Sequence, residues 1–422
     1  MIALPSECFF GILINLKGHY RSLFSCLLVN RQWCRNAVLI LWSELDIFEN
    51  KKLIRTCLLA LSLEEQALLV PFNIVFPNYP KLLFDYTNYI MTIKIYSDEG
   101  ILKWLSLSTN DVMSIYIAGT IKYALTIMFL RKCKNLKNII IGGTIYDKTI
   151  NLLARILNKN SGLTSLRLRN NHLDSEEVKI LADALCKNNT LTILEIHNNK
   201  LGFKGGKALA EALFKNHTLT FLSLKGNGLC TKVGSMLMMA LYKNTTLTYL
   251  HFVDNYLDSE GGKALAEALS GNALMEALCK NSTLTFLKLK SNSLGPDVGK
   301  TLAKALYMNA TLTFLDLNGN KLGSEGGKSL AKALYRNNSL THLKLNNNQL
   351  GFEGGKALAE SLYLSDNQLG FEIGEALSEA LNKNTTLTTL SLYSNQICDS
   401  ILDKIDNLLT RNKKNKALTL HE

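Results

Sequence analysis

What this sequence lacks narrows it first. Its nine cysteines are an odd number with no CxxC pair, and no His or Cys set has metal-ligand spacing. Neither a disulfide framework nor a zinc site is implied, and a reducing compartment, cytoplasmic or nuclear, is the expected home. There is no phosphate-binding glycine loop. The seven histidines have no obvious nucleophile or paired carboxylates around them, so no enzyme activity, metal or cofactor is expected. No uninterrupted apolar run looks long enough to span a bilayer, and Cys8 to Leu16 lacks the basic start and cleavage site of a signal peptide. A membrane partner is therefore not expected.

What is present is apolar bulk and positive charge. At 422 residues and 47% hydrophobic content, the chain can bury a large core. The formal charge of +12 raises the question of nucleic acid. Lysines such as Lys207, Lys263, Lys328 and Lys356 begin helices on an outer side, where solvation accounts for them. An acidic protein is the better-supported partner, and nucleic acid the weaker one.

From Leu163 to Ile397 one short pattern, LxxLxLxxNxL, is written nine times. Its asparagines fall at 171, 199, 227, 255, 292, 320, 348, 367 and 395, giving six steps of 28 residues, one of 37 and one of 19. Strand alternation sends the LxL leucines to one face and variable residues to the other. One unit cannot bury its leucines alone, whereas stacked units share a continuous core. The asparagine amide can turn inward to backbone groups left unpaired at the strand ends. The second half of each unit reads as a helix. In Gly205 to Leu213 the apolar stripe is Ala208, Leu209, Ala212 and Leu213, with Lys207 and Glu211 outward. In the 37-residue step, Ala264 to Asn272 is echoed by Ala273 to Asn281, a local duplication.

This pattern resembles the leucine-rich repeat of the ribonuclease-inhibitor type. The resemblance implies an α/β horseshoe solenoid, parallel strands inside and helices outside, with the main array over residues 161–398. A helix with a basic tail, residues 399–422, is expected to cover its last end.

The first 45 residues read as three short helices carrying Cys8, Phe9, Ile12, Leu13 and Leu16, then Leu23, Phe24, Leu27 and Leu28, then Trp33, Cys34, Ala37 and Leu41, with Ser6 able to cap the first. So small a bundle gains stability by docking on something else. Leu4, Pro5, Glu7, Ile12 and Leu16, the run SCLLVNRQW from Ser25 to Trp33, and Leu41 with Trp42 resemble an F-box; the pattern departs at Leu39, where related sequences often have proline. That resemblance implies docking onto a Skp-type adaptor and, through it, a cullin scaffold of an SCF ubiquitin ligase complex. Leu4, Pro5, Ile12 and Leu16 would touch the adaptor, Val29 and Trp33 would lie at or beneath that surface, and Trp42 would help close the module.

Residues 46–80 read as a helical connector, with one helix over 52–70 and a cluster of Pro71, Pro77 and Pro80 after it. Residues 81–160 carry faint leading repeats at Ile90 to Ile95, Val112 to Ile117 and Leu136 to Ile141, so the stack is expected to begin near residue 80.

Residues flanking the strand leucines should face the concave side. One column reads Ser165, Ile193, Phe221, Tyr249, Phe286, Phe314 and His342, its aromatics stacking at roughly 4.8 Å intervals. Beside it lie Arg167, Glu195, Ser223, His251, Lys288, Asp316 and Lys344, then Arg169, His197, Lys225 and Lys290. Aromatics bordered by cations have the composition of protein-interface anchors. The expected target surface comprises Phe221, Tyr249, Phe286, Phe314, Arg167, Arg169, His251, Lys288, Lys290 and Lys344. Together these features read as an intracellular substrate receptor working by protein–protein interaction. Two alternatives stay open: an interaction scaffold without a ligase role, and a GTPase regulator, because Ran-type activating proteins resemble the same repeats.

Overall fold

The computed structural model describes residues 6–45, 47–74, 85–106, 111–143, 147–159, 162–257, 280–334, 337–350 and 399–418, with positions 145, 278 and 388. They fall into two units, Met1–His172 with Lys187–Leu191, and Leu173–Cys186 with Thr192–Glu422.

The first unit starts with helices α1 (Ser6–Ile14), α2 (Tyr20–Leu27) and α3 (Arg31–Ser43). They close on Phe9, Leu13, Leu23, Cys26, Ala37 and Ile40, and the Phe9 ring meets Trp33 edge-on at 4.8 Å. Asn30 starts α3, its Oδ1 accepting the amides of Gln32 at 2.9 Å and Trp33 at 3.0 Å, which satisfies two donors the helix leaves open. Trp42 does not close the bundle as expected. It stacks on Tyr86 at 4.2 Å, tying the end of α3 to the turn Tyr86–Tyr89.

Strands β1 (Glu44–Leu45), β2 (Thr92–Ile95), β3 (Asn138–Gly142) and β4 (Ser165–Arg169) pair in parallel in chain order. Ile93, Ile95, Ile139, Ile141, Leu166 and Leu168 point inward and are buried. Pairing therefore begins at Glu44, well before residue 80. The expected helix over 52–70 is broken into α4 (Lys51–Leu58) and α5 (Leu63–Ala67), because Ser62 and Glu65 form a reciprocal capping box that starts a new helix.

Next come α6 (Glu99–Leu105), α7 (Val112–Lys132) and α8 (Asp147–Asn158). The strand expected at Val112 to Ile117 is instead the start of α7, where Asp111 accepts both the amide (2.9 Å) and the hydroxyl (2.7 Å) of Ser114. With 21 residues, α7 also has the length and apolarity of a bilayer span, contrary to the sequence reading. Its second half is a core element: Ala124 to Leu130 is buried, and Lys122 pairs with Asp98 at 2.7 Å. Arg131 grips Glu65 through Nε at 3.0 Å and Nη2 at 2.8 Å, which fixes α5 to α7. Burial opposes ionisation of Glu65, but Arg131 and the Ser62 amide outweigh it and hold the carboxyl below its usual range.

The described elements of the second unit are, in chain order, α9 (Ser175–Leu185), β5 (Ile193–His197), α10 (Gly202–Lys215), β6 (Phe221–Ser223), α11 (Thr231–Lys243), β7 (Tyr249–His251), β8 (Phe286–Lys288), α12 (Gly295–Met308), β9 (Phe314–Asp316), α13 (Gly323–Leu334), β10 (His342–Lys344) and α14 (Asp399–Leu418). Strands β5 to β10 pair in parallel, each with the next. On α10, Leu209, Ala210, Ala212 and Leu213 are buried and Ala208 half-buried. Close helix approach explains Gly206, where a Cβ would come 2.6 Å from Val233 Cγ1.

The seven described repeat asparagines, Asn171 to Asn348, turn inward and are buried. Nδ2 of Asn227 donates to Ile196 O at 2.6 Å and Lys225 O at 3.2 Å, while its Oδ1 accepts the Asn199 amide at 3.0 Å. The Asn227 amide donates to Asn255 Oδ1 at 3.0 Å, and the Asn255 amide to Asn292 Oδ1 at 3.2 Å. The second bond spans the 37-residue step, so the ladder runs through it without a break. Residues 258–277 and 351–387, which hold the first copy of the duplicated nine and most of the 19-residue step, lie outside the described residues.

A second asparagine ladder lies at the other end of the strands. Oδ1 of Asn216, Asn244, Asn281, Asn309 and Asn337 accepts the amides two and three positions ahead, as when Asn244 takes Thr246 N at 3.1 Å and Leu247 N at 2.8 Å. Their Nδ2 groups donate to carbonyls at the end of the preceding helix, Leu213 O at 3.0 Å for Asn244.

Candidate interaction surfaces

The strand face of the second unit carries an aromatic ladder because parallel pairing in register repeats one strand position at each rung. Phe221, Tyr249, Phe286, Phe314 and His342 are successive backbone partners. Their ring centroids lie 5.9, 5.2, 3.9 and 5.7 Å apart in that order. The Phe286 and Phe314 rings are stacked and nearly parallel, at 7°. Tyr249 is the most open of the first four, while the three phenylalanines are half-buried.

The neighbouring position brings in His251 and the lysines. His251 packs edge-on to Phe221 at 4.9 Å and tilted against Phe286 at 5.4 Å. Its Nε2 is buried and makes no hydrogen bond. Burial, then the charges of Lys288 and His197, push its pKa from 6.5 down to about 4. Lys288 Nζ lies 5.2 Å from the Phe286 centroid and 5.9 Å from that of Phe314, and Lys344 Nζ lies 5.6 Å from Phe314. Lys225 is held by Asp254 at 3.4 Å, and Lys290 is exposed. The structure thus brings together eight of the ten expected target residues. Arg167 and Arg169 lie on β4 of the first unit, half-buried and exposed respectively.

At the edge of this face His197 Nε2 and Ser223 Oγ are 2.7 Å apart. Glu195 Oε2 approaches the same Nε2, at 4.0 Å. A serine–histidine–acid relay places its acid on the opposite ring nitrogen, so this trio is not such a relay. Among the described residues no three His, Cys, Asp or Glu side chains gather as a metal-holding group.

The three-helix bundle offers a second surface. Ile12, Ile14, Tyr20, Phe24, Leu28 and Val29 are all exposed, Leu28 at 76%. Of the expected adaptor residues, Ile12 and Val29 are exposed, Leu16 and Trp33 pack partly into the bundle core, and Leu4 and Pro5 lie outside the described residues. Sequence reasoning missed Tyr20 and Ile14 here, although both flank the helical stripe it followed.

The family described as Leucine Rich repeat matches residues 187–210, 243–266, 309–331, 336–359 and 383–405. No F-box match accompanies it. No curated protein matches the chain. Among solved structures, the tropomodulin C-terminal domain of Caenorhabditis elegans is similar at 14% identity, over 46% of this chain and 99% of that one, with a TM-score of 0.34. Leiomodin-1 actin-binding site 2 is similar at 17% identity, over 58% of this chain and 90% of that one, with a TM-score of 0.27. The chain carries leucine-rich repeats on an α/β fold with parallel strands and many helices, the frame of a protein-interaction scaffold.

Proposed function

We propose that this chain is the noncatalytic substrate receptor of an SCF-type cullin ubiquitin ligase. The three-helix bundle docks on a Skp-type adaptor, and the strand face of the repeats holds a target protein, in a cytoplasmic or nuclear setting. The observation that carries the reading is the bundle itself. It spends six large apolar side chains on solvent within residues 12–29, while the short core behind them is closed by Phe9 and Trp33. Exposed apolar surface of this density is the mark of a docking site. The receptor contributes effective concentration of the target rather than chemistry.

The test is co-purification of a Skp-type adaptor with the intact chain and with an Ile12→Asp, Val29→Asp variant. Both side chains are exposed, so the variant keeps its fold, which thermal melting checks. Adaptor bound by the intact chain and lost in the variant supports the reading. An intact chain that binds no adaptor overturns it and leaves a repeat scaffold without a ligase role, the reading favoured by the repeat match standing alone.

A further inference from the structure

We infer that the aromatic ladder of the second unit receives a short, acidic, apolar-anchored peptide segment of its protein partner, held over β8 to β10 by Lys288, Lys290 and Lys344. The inference rests on the reading of the strand face as the target surface and names the chemistry of what sits there.

Charge is balanced at one end of the ladder and unbalanced at the other. At β6 and β7, Lys225 is neutralised by Asp254 at 3.4 Å. His251 there is neutral at physiological pH. Around β8 to β10, among the described residues, no carboxylate stands within 4.0 Å of Lys288, Lys290 or Lys344. Among the described residues the acid on this part of the face is Asp316, which is 5% exposed and whose Oδ1 already accepts the Asn318 amide at 3.1 Å. Two of the lysines converge on one ring, 5.9 and 5.6 Å from the Phe314 centroid. An exposed lysine alone is an ordinary surface feature. Here the ammonium groups border an apolar strip whose rings lie between solvent and the leucine core. A ligand that covers the strip removes water from around the cations and strengthens any pairing with its own carboxylates.

The ring geometry chooses between the two anionic classes of partner. Nucleic acid would dock by laying bases on open ring faces. The faces of Phe286 and Phe314 are already closed against each other at 3.9 Å and 7°, so the ladder offers mainly ring edges. Ring edges carry partial positive charge and suit carboxylates, carbonyl oxygens and aliphatic side chains. Five rungs span about 19 Å, which an extended peptide crosses in about six residues.

The experiment selects binders from a random 12-residue peptide display library on the intact, immobilised chain. The selected peptides are then titrated, dye-labelled, against the wild type, a Lys288→Glu, Lys344→Glu variant and a Lys225→Ala variant, with a single-stranded oligouridine as the competing probe. The expected result is enrichment of Asp and Glu beside Phe, Tyr or Leu. Binding should weaken about tenfold or more in the double variant and much less in Lys225→Ala, and oligouridine should not compete. Enriched peptides without acidic bias, or binding indifferent to the double variant, overturn the inference while leaving the strand face as a target surface. Failure to enrich any peptide, or preferential capture of oligouridine, overturns both. Adaptor co-purification is unaffected by these variants, so this failure and that of the ligase reading are told apart.

Discussion

Asn227 serves three backbone groups at once, two carbonyls through Nδ2 and the Asn199 amide through Oδ1. Alanine there leaves buried polar groups without partners, at about 1 to 3 kcal/mol for each such group. Asn227→Ala is therefore expected to lose at least about 2 kcal/mol, read as a lower urea midpoint with an unchanged slope. Thiols give a second prediction at this scale. Cys8 is exposed, whereas Cys57 and Cys133 are buried, and burial pushes Cys133 up to about 12 and Cys57 higher. A maleimide should label Cys8 in the native protein and reach Cys57 and Cys133 only after urea unfolding. The first asparagine ladder was legible in the sequence because its spacing repeats within the leucine pattern. The second, at Asn188, Asn216, Asn244, Asn281, Asn309 and Asn337, recurs just as regularly. Its partners are carbonyls at a helix end about a repeat back, and only the fold brings those within reach.

Between elements, close approach and charge decide the packing. Gly206→Ala places a methyl group 2.6 Å from the stiff Val233 side chain, so α10 must move off α11. The expected loss is about 1 to 3 kcal/mol, partly restored by Val233→Ala in the same chain, as measured by thermal melting of the two single variants and the double. Among the described residues, His251 and Glu65 both contribute to the acid limb of stability. The folded pKa of His251, about 4, lies below its ordinary 6.5. Between these values the unfolded chain binds more protons, so stability falls as pH falls from about 6.5 to about 4. Glu65, also lowered, contributes stability above the ordinary carboxylate range that is lost as pH falls through its folded value. His251→Phe should flatten the upper part of the limb and Arg131→Ala the lower, in urea titrations across pH. Element boundaries were the weakest part of the sequence reading. At Val112 to Ile117 the apolar spacing fits a strand as well as a helix, yet Ile115 and Tyr116 are exposed, at 49% and 60%. The Asp111–Ser114 pair, which can cap a helix, was the available signal.

At the scale of the whole molecule, stability in a stacked array is a sum over repeats and their nearest-neighbour contacts. Excising residues 264–272, one copy of the tandem pair, restores a 28-residue step. The shortened chain should keep its circular dichroism spectrum and melt within a few degrees of the parent. The interaction surfaces were legible in unequal measure. The aromatic column could be counted off in advance because identical units place identical positions in line. The charge imbalance along it could not, since that depends on Asp254 reaching Lys225 and on Asp316 being buried.

The amide-to-amide bond from Asn255 to Asn292 crosses 37 residues at 3.2 Å, and those across 28 close at 3.0 Å. The ladder registers rungs and is indifferent to the length of chain between them. Gene-level duplication can therefore lengthen or shorten this protein one unit at a time without disturbing the units already present. The same indifference makes the segment between Tyr256 and Asn281 an engineering port, where a foreign domain with neighbouring termini could be spliced in while the strands on either side stay paired.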